Sequence, residues 1–255
     1  MTSLEFFNGF LIAMIVLAAV VFSVLFFIDA GYGQYIDTRW GTAISNKAGW
    51  VIMEVPVVIV FFLYWVTSDR RFESAPLVFF LLFNLHYLQR TFVFPWLIRG
   101  HDLMPLSIIL FGMVFNGANA YMQGMWIFHL APADLYTPAW LTTPQFLGGL
   151  AIFLSGFTIN LHADHIIRTL RPPGDTGFHI PRGGLFEYVS AANYFGELTE
   201  WVGWGVMTWS LPGLVFAIWT FANLGPRAHR HHHWYLETFG DAYPKHRKRM
   251  IPFLY

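Results

Sequence analysis

Trp201-Val-Gly-Trp-Gly-Val-Met-Thr-Trp-Ser210-Leu-Pro-Gly213-Leu-Val-Phe-Ala-Ile-Trp-Thr-Phe-Ala-Asn-Leu-Gly225 runs without a charged residue. How it is cut decides the fold. A helix that crosses the hydrocarbon core of a bilayer needs roughly 20 apolar residues, so the stretch left whole is one span. Inside it, Ser210-Leu211-Pro212-Gly213 reads as a turn, because proline removes a backbone donor and glycine permits a tight bend. Cut there, the chain has one span near 185–209 carrying Glu187, Glu197 and Glu200. A shorter span from 212 then continues into a basic tail.

Working outward, residues 6–28, 103–128 and 139–163 carry no charge, 48–68 carry only Glu54, and 75–98 only Arg90. The first run lacks the basic flank of a signal peptide, its only early charge being Glu5. These are five spans, and the cut makes seven. Loop charge favours the cut. With six spans the cations divide almost evenly between the two sides. With seven, Arg39, Lys47, Arg99, Arg168, Arg171, Arg182 and the tail cations Arg227, Arg230, Lys245, Arg247, Lys248 and Arg249 share one side. Only Arg70 and Arg71 face the other. That asymmetry fits the excess of Lys and Arg on cytoplasmic loops. The expectation is an all-α membrane protein of seven transmembrane helices, N-terminus outside and C-terminus cytoplasmic. It forms a single integral membrane domain over 1–255, with 1–128 and 139–255 as its two functional parts. No sheet signal and no internal repeat are visible.

Composition agrees. Of 255 residues, 56% are hydrophobic, 19% aromatic and only 12% charged. The charged share is about half that of a soluble domain. Fifteen basic residues balance fifteen acidic ones, which implies no nucleic-acid surface. Cysteine is absent, excluding disulfides, thiolate metal sites and cysteine nucleophiles.

Polar groups inside spans are costly and default to functional candidates. Glu54 sits mid-span, two residues before Pro56. It reads either as a carboxyl paired structurally with another helix or as a proton donor, or a partner of one. In His86-Tyr87-Leu-Gln-Arg90, Tyr87 and Arg90 share a helix face. Tyrosine can hydrogen-bond a carbonyl oxygen, and arginine suits phosphate. Further along, Asn160 and Asp164 are four apart, as are Asn193 and Glu197, while Arg227, His231 and Tyr235 stand at i, i+4 and i+8. Each set is one polar stripe on a helix. With Arg171 in the intervening loop, this mixture of carboxylates, amides and cations suits a nucleotide better than a metal. Neighbouring histidines in His229-Arg-His231-His232-His233 point different ways on a helix and have no thiols beside them, so no metal is expected. Lys245-His-Arg-Lys-Arg249 reads as an anchor for anionic lipid heads. Neither G-x-G-x-x-G after a strand nor G-x-x-x-x-G-K-[ST] occurs, so a dinucleotide would bind without a Rossmann fold.

Taken together, Glu54-x-Pro56, His86-Tyr87-x-x-Arg90-Thr-Phe-Val, Asn160-Leu-His-Ala-Asp164, Arg171-Pro-Pro-Gly174, Ile180-Pro-Arg-Gly183-Gly184, Ala192-Asn193-Tyr-Phe-Gly-Glu197, Glu200-Trp201, Tyr235, Tyr243-Pro-Lys and Ile251-Pro-Phe253 resemble the steroid 5α-reductases (3-oxo-5α-steroid 4-dehydrogenases) over nearly the whole chain. The resemblance implies a membrane enzyme using NADPH to reduce the C4–C5 double bond of 3-oxo-Δ4-steroids, with hydride delivered to C5. It implies that Tyr87, supported by Glu54, is catalytic and polarises the 3-oxo group of a testosterone- or progesterone-like substrate. It assigns Tyr32, Arg90, Asn160, Asp164, Arg171, Asn193, Glu197, Arg227, His231 and Tyr235 to the cofactor, and Trp201 to the steroid pocket. The helices before residue 128 would then serve the steroid and 139–255 the cofactor. Phe178-His179 stands where animal members commonly have Tyr-Arg, and Phe94 where they commonly have Tyr. The first bears on phosphate contacts in that loop.

Competing readings are a related reductase of an enoyl thioester, polyprenol or sterol, and an S-adenosylmethionine-dependent membrane methyltransferase, whose cofactor carries no phosphate. No obligate protein partner is implied. The bilayer itself is the expected surroundings, in a bacterial inner membrane or the endoplasmic reticulum.

Overall fold

The computed structural model describes residues 3–28, 40–99, 102–172, 175 and 177–255. Helix α1 spans Ser3–Val24, α2 Asn46–Val66 and α3 Ser74–Leu88. The last continues through a π-turn, Gln89–Val93, into Phe94–Leu97. Helix α4 is Leu106–Met125 and ends in a second π-turn, Trp126–Leu130. Helices α5 (Pro144–Thr169), α6 (Ala192–Thr208) and α7 (Leu211–Phe239) complete the set.

Two three-residue strands, β1 (Ala43–Ser45) and β2 (Leu103–Pro105), pair antiparallel with Ile44 opposite Met104. This corrects the expectation of no strand, since three residues are too few to show a period of two. The pair has a positional role. Asn46 N–H donates to Asp102 O and Leu106 N–H donates to Thr42 O, so the first turns of α2 and α4 are tied side by side.

The uncharged stretch is cut at Trp209-Ser210. Trp209 takes the left-handed conformation at φ 46°. The Ser210 side chain then caps α7 by accepting from Gly213 N–H at 3.1 Å, with Pro212 in the first turn. Gly213 is needed for space as well, because a Cβ there would stand 2.9 Å from Gly205 Cα.

By length and apolar composition α1, α2, the continuous stretch Ser74–Leu97 and α5 can cross a membrane. Helix α4 is diluted by Asn116, Asn119 and Gln123, and α6 has only 17 residues. The α5 helix starts at Pro144 and runs to Thr169, later at both ends than the 139–163 expected, because Asp164-His-Ile-Ile-Arg168 prolongs it as a polar final turn. Large apolar side chains stand exposed in rows, among them Ile12, Val16 and Val20 on α1 and Leu110, Phe111 and Val114 on α4. Such contiguous apolar surface is what lipid covers.

The chain divides into two compact units. One holds residues 1–11 and 29–146, the other 12–28 and 147–255. In the first, α2 and α4 run parallel at close range. Gly112 lies against the Met53 side chain and Gly124 against Tyr64, whose Cβ a new Cβ would meet at 2.8 Å and whose ring carbons at 3.0 Å. Phe61 is fully buried in the same unit, its ring tilted against Phe83 and Phe128. In the second, α5 and α6 run antiparallel with their backbones nearly touching. A Cβ on Gly149 or Gly156 would overlap the backbone at Met207 or Glu200, and one on Gly203 or Gly196 would overlap Phe153 or Asn160. Each helix thus offers two glycines seven residues apart, the small-residue seam that lets helices approach where no hydrophobic force separates lipid from protein.

Candidate active site

In the first unit the buried polar groups converge on α4. Glu54 on α2 is 7% exposed. Pro56, lacking its N–H, weakens the helical ladder at this level. Asn116 Nδ2 donates both to Glu54 Oε2 at 3.1 Å and to Met53 O at 2.9 Å. One turn on, Asn119 Nδ2 donates to the Tyr87 hydroxyl at 2.9 Å, and Gln123 Nε2 donates to Asn119 Oδ1 at 3.3 Å. Asn119 is fully buried and Tyr87 is 3% exposed, its ring tilted against Phe83 at 4.6 Å and edge-on to His86. Burial makes these bonds matter. A buried acceptor left without a partner costs about 1–3 kcal/mol, and more when charged.

The sequence reading singled out Glu54 and Tyr87 but missed the three amides. Their signal was available, since Asn116, Asn119 and Gln123 stand at i, i+3 and i+7 on one face of α4. A count of charges passes over it.

Arg90 lies in the π-turn after Tyr87. Its guanidinium stacks on Trp50 at 4.6 Å and on Phe94 at 4.1 Å. Phe94, standing where the sequence comparison noted Tyr, keeps the ring that this stack needs. Thr91, in the same π-turn, is wholly buried and its hydroxyl has no hydrogen-bond partner. Single π-turns are common at functional sites, where they re-aim side chains. Tyr32 lies outside the described residues.

In the second unit the glycine seam brings two of the polar stripes together. Asn160 Nδ2 donates to Asn193 O at 3.0 Å, and Asn193 Nδ2 donates to Asp164 Oδ1 at 3.3 Å. Glu197 follows one turn later, half-buried. Tyr194 links α6 to the third stripe. The Arg227 guanidinium lies over its ring at 5.6 Å, and its hydroxyl is 3.4 Å from His231 Nε2. The segment from Arg227 onward is the charged end of α7, past its apolar stretch. There burial, and secondarily the Arg227 charge, push His231 down to about 4, so the imidazole is neutral near pH 7. Tyr235 stacks flat on Tyr243 at 5.1 Å. Trp201 is buried among Phe153, Trp204 and Phe216.

Among the described residues of 171–180, aromatic and Asx contacts join Arg171, Asp175 and 177–179 to their neighbours. Arg171 lies over the Phe178 ring at 5.1 Å, and Phe178 meets Trp234 edge-on. Asp175 accepts from Gly177 N–H and from His179, both at 2.7 Å, and these bonds hold its carboxyl below the usual range. Within the basic cluster at 245–249, Lys245 and Lys248 are exposed, as a lipid anchor requires, and Arg247 is not. Arg247 is 2% exposed and donates to Pro181 O at 2.9 Å. Lys248 and Arg249 pair their backbones with Tyr188, Ser190 and Ala191. Ser190 Oγ lies 2.6 Å from both His232 Nδ1 and the Tyr243 hydroxyl, closing a latch that the sequence reading did not foresee.

Chemically, the second unit offers carboxylate and amide acceptors beside cations seated on aromatic rings. That donor set fits a dinucleotide, whose ribose hydroxyls and amide need acceptors and whose phosphates need cations. The first unit offers a dry hydroxyl and a dry carboxyl, which suit the polarisation of a neutral oxygen.

Comparison with known proteins converges on one description. A family model described as 3-oxo-5-alpha-steroid 4-dehydrogenase matches residues 102–255. The chain is 43% identical to 3-oxo-5-alpha-steroid 4-dehydrogenase 1 of Homo sapiens over 226 residues, covering 88% of this chain and 86% of the relative. It is 42% identical to the enzyme of the same description from Bos taurus, covering 93% of each. It is 41% identical to the steroid 5-alpha-reductase DET2 of Gossypium hirsutum, covering 98% of this chain and 97% of the relative.

Proposed function

The chain belongs to the 3-oxo-5-alpha-steroid 4-dehydrogenase family, and from that premise we propose that it reduces the C4–C5 double bond of 3-oxo-Δ4-steroids to 5α-dihydrosteroids with NADPH. The bound cofactor supplies hydride to C5. Tyr87 donates a hydrogen bond to the 3-oxo oxygen, where negative charge grows as hydride arrives. Glu54 supports that donor, and the resulting enol or enolate is protonated at C4. In a dry site one such donor is worth about 3 kcal/mol, or 100- to 1000-fold in rate.

The observation that carries this reading is that Glu54 and Tyr87 are both buried and each accepts from an amide, the two amides standing one turn apart on α4. Asn160, Asp164, Asn193 and Glu197 are proposed to hold ribose and nicotinamide groups. Arg90, Arg171, Arg227, His231 and Tyr235 are proposed to hold the phosphates and adenine, and Tyr32 is proposed to belong to the same cofactor set. Trp201 is proposed to line the steroid. The topology proposed with this is seven crossings, N-terminus outside and C-terminus cytoplasmic, in a bacterial inner membrane or the endoplasmic reticulum. The cation asymmetry of the loops supports it.

The test is NADPH oxidation by purified protein in detergent with testosterone or progesterone, with the product identified by mass spectrometry. A gain of two hydrogens with 5α stereochemistry is expected. NADPH binding without steroid turnover would move the substrate to another unsaturated lipid. Failure to bind NADPH at all would overturn the reductase reading and favour a cofactor without phosphate.

A further inference from the structure

We propose that Asn119 is a positioning residue for Tyr87, and that Gln123 sets the orientation of Asn119. The inference rests on the role given to Tyr87 above and extends it to two residues that the sequence reading did not single out.

A phenol oxygen carries one hydrogen and can also accept. Asn119 Nδ2 donates to the Tyr87 oxygen at 2.9 Å, which fills an acceptor position and leaves the phenol hydrogen as what Tyr87 itself gives. The amide is oriented in turn. Gln123 Nε2 donates to Asn119 Oδ1 at 3.3 Å, so the oxygen of Asn119 faces Gln123 and its NH2 faces Tyr87. A reversed amide would present an acceptor to the phenol and draw its hydrogen away from a substrate. Asn119 is 0% and Gln123 1% exposed, so water does not compete for these bonds.

Two effects follow from the chain Gln123 to Asn119 to Tyr87. The first is geometric: the hydroxyl is held at one place before substrate arrives, as an oxyanion-type donor must be. The second is electronic. A hydrogen bond donated into the phenol oxygen stabilises charge that builds there as the phenol hydrogen is shared with the substrate oxygen, and bonds in series strengthen one another. Both act on the transition state more than on substrate binding, so they belong in kcat rather than in KM.

The experiment compares Asn119→Leu, Asn119→Asp and Gln123→Leu with the full-length parent in detergent, recording kcat, both KM values, NADPH affinity and thermal stability. Asn119→Leu is expected to lower kcat roughly tenfold, the worth of one buried hydrogen bond, with KM for steroid and affinity for NADPH near the parent's. Asn119→Asp is expected to be worse at neutral pH, where its carboxylate takes the phenol hydrogen, and to recover as acid pH protonates it. Gln123→Leu is expected to show a smaller loss with no new pH dependence. In a Tyr87→Phe background, Asn119→Leu is expected to cost nothing further, since there is no hydroxyl to hold.

If Asn119→Leu does not fold, Gln123→Leu and the pH profile of Asn119→Asp carry the test alone. Additive losses in the double variant, or an Asn119→Asp profile parallel to the parent's, mean a packing role and overturn the proposal. Full activity in Tyr87→Phe would overturn the role of Tyr87 itself. An inactive Tyr87→Phe beside an unimpaired Asn119→Leu would overturn only the positioning role.

Discussion

Gly196→Ala replaces one hydrogen by a methyl group at the seam between α5 and α6, and the neighbours of that methyl set its effect. The new Cβ would stand 2.5 Å from Asn160 N, and 2.9 Å from both Asn160 Cα and Gly156 O. These neighbours are backbone, so no rotamer change relieves them. Reaching ordinary contact of about 3.5 Å requires the two helices to part by roughly 1 Å at this level. Overpacking of that kind costs about 1–3 kcal/mol. The same displacement stretches the Asn160 Nδ2 bond to Asn193 O, now 3.0 Å, beyond hydrogen-bonding range, adding about 0.5–1.5 kcal/mol. A sum of about 2–4 kcal/mol corresponds to a fall in Tm on the order of 5–15 °C for a chain of this size. Because the stretched bond belongs to the proposed cofactor set, KM for NADPH should rise while KM for steroid changes less. Gly148→Ala is the control, for a Cβ there meets nothing within 4 Å. It should leave Tm unchanged or raise it by the helix preference of alanine, about 1 kcal/mol. The assay is thermal unfolding in detergent, followed by steady-state kinetics with each substrate varied in turn. A Gly196→Ala protein with the parent's Tm and the parent's KM for NADPH would refute the seam argument.

Three further outcomes are expected. Glu54→Gln keeps the shape but loses the carboxyl chemistry, and should reduce kcat by about 100-fold with NADPH affinity retained; a parental rate would make Glu54 a structural group. Arg171→Ala should raise KM for NADPH more than KM for steroid, and the reverse order of effects would remove Arg171 from the cofactor set. His231 has its ordinary 6.5 pushed down to about 4 by burial. The unfolded chain therefore takes up this proton first as pH falls, and stability that is complete above pH 6.5 is lost toward about 4. His231→Gln should flatten that part of the pH-stability profile, and an unaltered slope would assign it to other groups.

The helix break was legible because its chemistry is local. Pro212 and Gly213 mark it within four residues, and Ser210 supplies the cap. Glu54 and Tyr87 were legible because a carboxyl or phenol within an apolar run stands out against its neighbours. The amides of α4 carry no charge, so a reading based on charge passed over a face that hydrogen-bonds both Glu54 and Tyr87. The tail shows the opposite failure. Arg247 sits in a basic run and reads as solvated, yet it is buried by pairing between 188–191 and 248–249. That pairing joins segments about 60 residues apart, a separation no local pattern reports. The β1–β2 pair escaped notice for the same reason, its partners lying equally far apart along the chain.

The attachment of Glu54 and Tyr87 to neighbouring turns of α4 has a consequence for redesign. The two side chains come from α2 and α3, but Asn116 and Asn119 gauge their positions from one rigid rod. A twist or slide of that rod displaces both side chains together and preserves the spacing between them. Laboratory evolution toward bulkier substrates can therefore enlarge the surroundings of α2 and α3 at modest risk. Insertions or bulky residues along 112–124 would displace the proposed catalytic pair, Glu54 and Tyr87, in the same stroke.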